Sequence, residues 1–232
     1  KALKYFTRSL TIRKRIGHRI GQGESLNNIG FVHNVFGDYQ NALTAYNESL
    51  EIFKEINYLP GQAYSLNNIG KVFLEQGRYD EAEIYFTKAA QIAKQIGVKE
   101  ITRRIYLALG LLELEKNSIE KAKSYAETAM KLAEELKSKP GKAEVILLQA
   151  RIESITEKEN EAENKFNEAI KIFEEIKQPF DLAKACYYYG QKLKSRNEAE
   201  KADIYLKKAK QIFEKCNARI WVKRCDELIE KG

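Results

Sequence analysis

The sequence predicts an all-α protein, a right-handed superhelical solenoid of antiparallel helix hairpins. Two observations carry this prediction: a segment that recurs at a fixed offset along the chain, and apolar residues at helical spacing within each copy. The composition agrees with it, because the 232 residues include only 3 prolines and 13 glycines. Proline and glycine are the residues that the interior of a helix tolerates least.

The repeat has a period of 40 residues. Residues 25–30, Ser-Leu-Asn-Asn-Ile-Gly, return as residues 65–70. Three columns of small residues keep the same period, and chance does not hold three columns in phase. The columns are Gly30, Gly70, Gly110, Ala150 and Gly190; then Ala2, Ala42, Ala82, Ala122, Ala162 and Ala202; and then Ser9, Ser49, Ala89, Ala129, Ala169 and Ala209. Small residues at these positions let the backbones of two helices approach closely.

Each period contains two helices. Residues 39–56 place apolar side chains three or four positions apart, and residues 62–74 do the same. This spacing gives each segment one apolar stripe and therefore one buried face. We call the helix that contains the Gly30 column helix A and the next one helix B, each roughly 17 residues or about 25 Å long. One hairpin cannot bury both of its apolar faces, so successive hairpins stack.

The breaks between helices recur with the same period. Gly and Asn tolerate the left-handed conformation that ends a helix, and Pro suits the first turn of the next helix. The predicted breaks are Gly37, Gly77, Asn117, Glu157 and Asn197 between A and B, and Gly17, Asn57, Gly97, Lys137, Lys177 and Asn217 after B, while Pro60, Pro140 and Pro179 begin helices A.

These breaks predict how the chain is divided. We expect a single domain over residues 1–232, with a leading half repeat and a C-terminal cap helix. The half repeat is 1–17, the five full repeats are 18–57, 58–97, 98–137, 138–177 and 178–217, and the cap helix is 218–232. This gives eleven helices and a cap helix, with no strand. Because Lys1 falls inside a helix B, we expect the chain to be a fragment of a longer protein.

The net charge of +7 is concentrated at one end of the chain. Residues 1–22 contain seven of the 40 basic residues and no acidic one, which leaves 33 basic against 33 acidic residues elsewhere. A basic stripe confined to one terminal helix does not favour nucleic acid as the partner. No apolar run approaches the roughly 20 residues that span a bilayer, so we expect a cytoplasmic protein without a membrane partner.

No constellation of residues predicts catalysis. Cys186, Cys216 and Cys225 are an odd number without regular spacing, and we expect reduced thiols. His18 and His33 lie far from them in sequence, whereas zinc needs four ligands. No Gly-rich phosphate-binding loop is present. We therefore predict that the protein is not an enzyme and has neither a metal site nor a cofactor.

The residues of the second period resemble the tetratricopeptide repeat. Leu-Asn-Asn-Ile-Gly at 66–70 is followed by Gly-x-Tyr-x-x-Ala at 77–82, then by Phe86 and Ala89. The period of 40 is similar to the longer variant in kinesin light chains, in polarity adaptors that bind G-protein alpha subunits, and in bacterial peptide-sensing regulators. The resemblance covers essentially the whole chain, and it is specific for the fold but not for the partner.

The resemblance implies that the A helices line a concave groove in which ligands lie. Counting from the Gly30 column gives the side chains that face this groove. The predicted binding residues are Asn27, Phe31, Asn34, Tyr64, Asn67, Lys71, Arg104, Leu107, Leu111, Leu147, Arg151 and Tyr187. Asn27 and Asn67 are equivalent, and an amide can pair with a peptide backbone of any sequence. The alternative is that both asparagines bond neighbouring helices or solvent.

Helix A of the third repeat is apolar on nearly every side. Leu107, Leu111 and Leu114 are expected to face the groove as an apolar partner site, and the alternative is that superhelical curvature buries them against neighbouring helices. Three consecutive tyrosines, residues 187–189, cannot share one helix face. We expect one of them in the core, one at the groove and one between.

The leading functional hypothesis is a scaffold that binds a peptide or helical segment of another protein in the groove. The alternative is a module of a multidomain bacterial signalling protein that senses a peptide or another ligand. A third hypothesis is nucleic-acid binding through the basic first helix, which predicts steep salt dependence. Self-association through exposed repeat ends is a further prediction.

Overall fold

The computed structural model describes residues 1–156 and 159–230, and within them it contains twelve α-helices and no strand. The helices are α1 (Ala2–Arg15), α2 (Arg19–Phe36), α3 (Tyr39–Glu55), α4 (Leu59–Glu75), α5 (Tyr79–Ile96), α6 (Lys99–Glu115), α7 (Ile119–Glu135), α8 (Lys139–Ile155), α9 (Glu159–Glu175), α10 (Pro179–Ser195), α11 (Ala199–Lys215) and α12 (Arg219–Glu230). The predicted architecture of helix hairpins is confirmed. Even-numbered helices are helices A, and odd-numbered helices are helices B.

The predicted break residues fall at the helix ends. All of them except Glu157, which lies outside the described residues, adopt positive φ angles between 50° and 79°. Lys137 (φ 50°) and Lys177 (φ 54°) take this conformation although they are neither glycine nor asparagine. Pro60, Pro140 and Pro179 lie in the first turns of α4, α8 and α10, as the sequence predicts.

The chain forms two compact units, Lys1–Asn117 with α1 to α6 (unit 1) and Ser118–Gly232 with α7 to α12 (unit 2). The boundary falls inside the predicted repeat 98–137, between its helix A and its helix B. The single-domain assignment, with its repeat limits, therefore stays a prediction. In each unit, successive helices pack on one another and the helices A also contact each other directly. We call α2, α4 and α6 the A layer of unit 1, and α8, α10 and α12 the A layer of unit 2.

The small-residue columns allow close helix packing. The five alanines from Ala42 to Ala202 in the second column are buried. A Cβ atom built on Gly30 would lie 2.7 Å from the ring of Tyr46, and one on Gly190 would lie 2.7 Å from Cγ of Leu206. Real Cβ atoms do not approach other atoms so closely. The absence of a side chain at Gly30 therefore allows α2 to pack closely on α3, and its absence at Gly190 allows α10 to pack closely on α11.

No helix among the described residues is both long and apolar enough to cross a membrane. The three cysteines are free thiols: Cys186 and Cys225 are buried and Cys216 is half-buried. Burial raises the pKa of the Cys186 thiol to about 11 and that of Cys225 to about 12. Thiols with such pKa values stay protonated at neutral pH and act as small apolar core residues.

Candidate binding site on the A layers

All twelve predicted binding residues lie on helices A. The A layer of unit 1 contains Asn27, Phe31 and Asn34 on α2, Tyr64, Asn67 and Lys71 on α4, and Arg104, Leu107 and Leu111 on α6, whereas Leu147 and Arg151 lie on α8 and Tyr187 on α10 of unit 2. Among them Phe31 is the most accessible large apolar side chain, at 54% exposure. Asn34, Tyr64, Lys71, Leu111, Leu147 and Arg151 are half-buried.

Asn27 is bonded inside unit 1. Its Nδ2 group donates to Oγ of Ser49 at 2.8 Å and to Oγ of Ser65 at 3.0 Å. Its Oδ1 accepts a hydrogen bond from Nδ2 of Asn68 at 3.2 Å. The amide therefore connects α2 to both α3 and α4 by hydrogen bonds. Bonding to neighbouring helices is the alternative role that the sequence allowed for Asn27.

Asn67 differs from Asn27 although the two occupy equivalent positions. The sequence placed Asn67 on the groove surface, but the residue is only 2% exposed. Its Oδ1 is buried and has no hydrogen-bond partner among the described residues. The repeat explains this, because Oδ1 of Asn27 accepts its hydrogen bond from Asn68, and the residue one period after Asn68 is Ala108, whose side chain has no donor. An unpaired buried polar group of this kind costs about 1 to 3 kcal/mol.

Asn34 on α2 has a second unpaired amide oxygen. Its side chain is half-buried, and its Oδ1 is buried without a partner among the described residues. The A layer of unit 1 thus contains two amides with unmet hydrogen-bonding capacity, one on α2 and one on α4. Native structures contain few such groups, and each calls for an explanation, such as backbone strain, a catalytic role, or a water or ion that completes the bonding.

An ion-pair cluster lies on α6 next to Tyr64. Arg103 is 1% exposed and donates through Nε and Nη2 to both carboxylate oxygens of Glu100, at 2.9 Å each. Nε of Arg104 donates to the same carboxylate at 2.7 Å, and its guanidinium lies 6.0 Å from the Tyr64 ring centroid. Arg104, one of the predicted binding residues, is thus paired with Glu100 of its own helix.

The pKa values of this cluster follow from burial and charge. Partial burial alone would raise the pKa of the Glu100 carboxyl, but the hydrogen bonds and charges of Arg103 and Arg104 together outweigh it. The pKa of Glu100 therefore lies below its ordinary value of 4.5. Burial raises the pKa of Tyr64. Glu100 is ionised at neutral pH, and the tyrosine is a neutral hydrogen-bonding group there.

The expected apolar patch on α6 is largely core. Leu107 is 6% exposed and Leu114 is also buried, which corrects the expectation that both face an open groove, and Leu111 alone keeps part of its surface accessible. A helix that is apolar on almost every side is normally buried, and α6 follows this rule.

Tyr187 is also more buried than the sequence predicted. It is 8% exposed instead of facing a groove, because the Trp221 ring of α12 lies edge-on against it at 5.3 Å. Tyr189 is in the core and stacks on Phe166 at 5.1 Å. Tyr188 is the most accessible of the three tyrosines, and the guanidinium of Arg151 lies 3.9 Å above its ring.

Comparison with solved structures places the chain among helical repeat proteins. It is similar to BtubC (BKLC) from P. vanneervenii, with 18% identity and a TM-score of 0.64 over 93% of this chain and 91% of that one. It is also similar to the Rap conjugation gene regulator of the plasmid pLS20, solved in complex with the Phr* peptide (17% identity, TM-score 0.67, 99% of this chain, 74% of that one). A Rap protein complexed with Competence and Sporulation Factor matches with 15% identity and a TM-score of 0.66 over 98% of this chain and 71% of that one.

Identities this low show a shared fold and nothing more, and no curated protein matches the chain. The family itself is shown by sequence. The family model of the tetratricopeptide repeat matches residues 1–55, 21–95 and 61–135. These overlapping matches together span residues 1–135, which is more than half of the 232 residues. The chain belongs to the tetratricopeptide repeat family.

Proposed function

We propose that this protein is an interaction scaffold, and that the A layer of unit 1 binds an extended peptide segment of a partner protein. Membership of the tetratricopeptide repeat family supports the scaffold role. Two structurally similar proteins were solved with bound peptide or factor, the pLS20 Rap regulator and the Rap protein named above. The observation that carries the proposal is the buried amide oxygen of Asn67, which has no hydrogen-bond partner among the described residues.

A peptide backbone is a suitable complement to this surface. Its N–H and C=O groups alternate along the strand, and the amides of Asn34 and Asn67 can donate to one and accept from the other. The helices of this layer hold five basic and five acidic residues, so the surface as a whole favours neither sign of charge. Phe31, which is more than half exposed, offers an apolar contact for one side chain of the segment.

Asn27 provides a matched comparison for Asn67. Both are asparagines at the same position of the repeat, but the Asn27 oxygen accepts a hydrogen bond from Asn68, whereas the Asn67 oxygen has no partner among the described residues. Replacing Asn67 should therefore reduce binding without lowering stability, and replacing Asn27 should lower stability. The sensing role that the sequence left as an alternative has no separate support among the described residues and stays a prediction.

The test selects a binding peptide from a random peptide library on the 232-residue protein and titrates it against variants. Asn67→Leu should weaken binding by about tenfold, the equivalent of one lost hydrogen bond to a buried amide, with unchanged or higher thermal stability. Lys207→Ala, on the exposed side of α11, is the control and should change neither property. Full affinity in Asn67→Leu would place the peptide elsewhere on the molecule.

A further inference from the structure

The outer side of α1, counted from its N-cap residue, has only basic charged residues. Spacings such as three, four and seven residues bring five of them to one side of the helix, and all five are exposed. We call them the basic face: Lys1, Lys4, Arg8, Lys14 and Arg15. None of the five forms an ion pair with any residue that the structure describes. Their charges therefore face solvent without compensation.

The other two basic residues of the segment 1–22 are held inside unit 1. Nη1 of Arg13 donates to the carbonyl oxygen of Gly21 at 2.7 Å and lies 3.4 Å from Oε2 of Glu24. Arg19 forms an ion pair with Glu55 of α3. The excess charge of this segment is thus concentrated on the basic face.

The exposure of this face is a property of the repeat, whereas its charge is not. The equivalent positions in α3 and in α9 are all exposed, so these positions face outward wherever they occur. Each of the five other helices B has glutamate at one or more of them, among which are Glu48, Glu81, Glu134, Glu168 and Glu214. An outer face with basic residues and no acidic one is therefore particular to α1.

The basic face does not arise from a requirement of the helix itself. The N-terminal end of a helix has a partial positive charge, so cations near it are unfavourable. Lys1 is the N-cap residue of α1 and Lys4 lies in its first turn, which contains no acidic residue. The stability of α1 therefore does not explain these charges, whereas an anionic partner does.

An exposed apolar edge runs beside the basic face. Tyr5, Ile12 and Ile16 are spaced seven and four residues apart, which aligns them along the helix. We call these three residues the apolar edge. Tyr5 is 71% exposed and Ile16 is 68% exposed. Since no residue of α1 is buried, basic and apolar side chains are accessible next to each other on one helix.

We propose that α1 binds the surface of a membrane that contains anionic lipids. The basic face lies at the headgroups, and the apolar edge enters the boundary between headgroups and acyl chains. An amphipathic helix with Lys and Arg beside exposed apolar residues binds in this way, and four to eight basic residues on such a helix are typical of anionic-lipid binding. The sequence predicted no membrane partner because it has no spanning segment, but binding at the surface needs none.

The apolar edge favours a lipid surface over a nucleic acid. Phosphate groups of either partner can pair with the basic face, but only a membrane has an apolar layer beneath its phosphates. The hydroxyls of Thr7 and Thr11 already donate to carbonyl oxygens of their own helix, at 2.9 Å and 3.0 Å. They are therefore not available to read base edges. The surface on α1 contains none of the residues of the proposed peptide site, so either proposal can fail without the other.

The test measures co-sedimentation of the 232-residue protein with lipid vesicles. One vesicle type contains phosphatidylserine and phosphatidylcholine in equal parts, and the other contains phosphatidylcholine alone. We expect saturable binding to the phosphatidylserine vesicles that weakens as salt is added, and little binding to the others. Equal binding to the two types, or binding to neither, would overturn the proposal. This comparison needs no variant.

Charge variants locate the binding surface on α1. Replacing Arg8 and Lys14 together by glutamine should weaken binding to the phosphatidylserine vesicles by roughly 25-fold, since each basic residue near an anionic surface contributes roughly fivefold. The matched control replaces Lys88 and Lys94 of α5, which are exposed and occupy the same two repeat positions. Both double variants remove the same charge. An equal loss of affinity in the control would show that net charge alone causes binding and would contradict a site on α1.

An apolar variant separates lipid from nucleic acid. Ile16→Ser should weaken vesicle binding by about tenfold, because an apolar side chain no longer leaves water on binding. Ile204→Ser is its control, since Ile204 lies on α11 and is 66% exposed, and it should leave the affinity unchanged. Unchanged affinity in Ile16→Ser, or tighter binding of the natural chain to a DNA duplex than to these vesicles, would contradict a membrane-binding surface.

Discussion

The ring of Phe86 in α5 lies directly against the backbone of Gly70 in α4. A Cβ atom on Gly70 would lie 2.6 Å from Cε1 of the ring and 2.7 Å from Cδ1. Phe86 is fully buried and has no room to move away. The contact joins the two helices of one hairpin at the small-residue column that contains Gly30 and Gly70.

This contact predicts a graded loss of stability with side-chain size at position 70. Gly70→Leu should lower the free energy of unfolding by roughly 1 to 3 kcal/mol or more, since overpacking forces the helices apart. Gly70→Ala should lower the free energy of unfolding by less, because alanine has a helix propensity about 1 kcal/mol more favourable than that of glycine. Alanine also occupies the equivalent position in a later repeat, at Ala150. Urea unfolding followed by circular dichroism measures both. A leucine variant as stable as the natural chain would contradict the packing.

The second prediction concerns the turn after α9. Lys177 has a φ angle of 54°, a conformation that costs a non-glycine residue roughly 1 to 2 kcal/mol. Lys177→Gly should therefore raise the free energy of unfolding, by about 0.5 to 1 kcal/mol once the greater flexibility of glycine in the unfolded chain is subtracted. Thermal unfolding of the two proteins side by side measures the change.

The reverse substitution is the control for this turn. Gly77 has a φ angle of 74°, and a Cβ atom there would meet no other atom within 4 Å. Gly77→Ala should therefore lower stability through backbone conformation alone. If Lys177→Gly were destabilising, the interactions of the lysine side chain would outweigh the strain of its backbone.

The repeat predicted the turns and the glycine–ring contacts because both depend on local properties of the chain. Left-handed turns favour Gly or Asn, although Lys137 and Lys177 adopt them too, and close helix contacts need small residues wherever they occur. The burial of Asn67, Leu107 and Tyr187 could not be predicted in this way. Helical periodicity gives the face on which a residue lies, but burial depends on the side chains of neighbouring helices, such as Trp221 over Tyr187.

The unpaired state of Asn67 did have a signal in the sequence. The oxygen of its equivalent Asn27 accepts a hydrogen bond from Asn68, and Ala108 stands one period after Asn68. The two cations over the Trp221 ring also had a partial signal, since Lys184 and Arg224 share one column of the repeat. Which rings these cations cover depends on how α12 packs on α10, and no spacing within one helix contains that information.

The third prediction is a pH dependence that arises from Glu100. Its pKa in the folded protein is below 4.5, so its ion pairs with Arg103 and Arg104 stabilise the fold above the unfolded-state pKa. This contribution is lost as the pH falls through the lower, folded-state pKa. Glu100→Gln should therefore lower the free energy of unfolding at neutral pH by about 1 to 3 kcal/mol, and by much less well below pH 4.5.

Glu81→Gln is the control for this pH dependence. Glu81 forms an exposed ion pair with Arg78, and solvent and salt screen such pairs. Its replacement should change stability less than that of Glu100 at every pH, and added salt should reduce the difference further. A Glu100→Gln effect of the same size at neutral and acidic pH would mean that shape and packing, and not charge, account for it.

The last prediction gives Asn67 the serine neighbour that Asn27 has. Ala89 occupies the position of Ser49, whose hydroxyl accepts a hydrogen bond from Asn27 at 2.8 Å, and it is fully buried. Ala89→Ser should therefore place a hydroxyl within reach of the Asn67 amide. In the natural background the new hydrogen bond should stabilise the fold by about 1 kcal/mol. In an Asn67→Leu background the same serine lacks this hydrogen-bond partner. The substitution should then lower the free energy of unfolding by about 1 to 3 kcal/mol.

The difference between these two backgrounds is the coupling energy of a double-mutant cycle, which isolates the pair. Urea unfolding of the four proteins measures it, and the peptide titration described for the proposed function adds the functional result. Because a ligand must then compete with the introduced hydroxyl for the amide, Ala89→Ser should also weaken peptide binding in the natural background. A serine that stabilises unit 1 and leaves peptide affinity unchanged would show that the Nδ2 group of Asn67 plays no part in recognition.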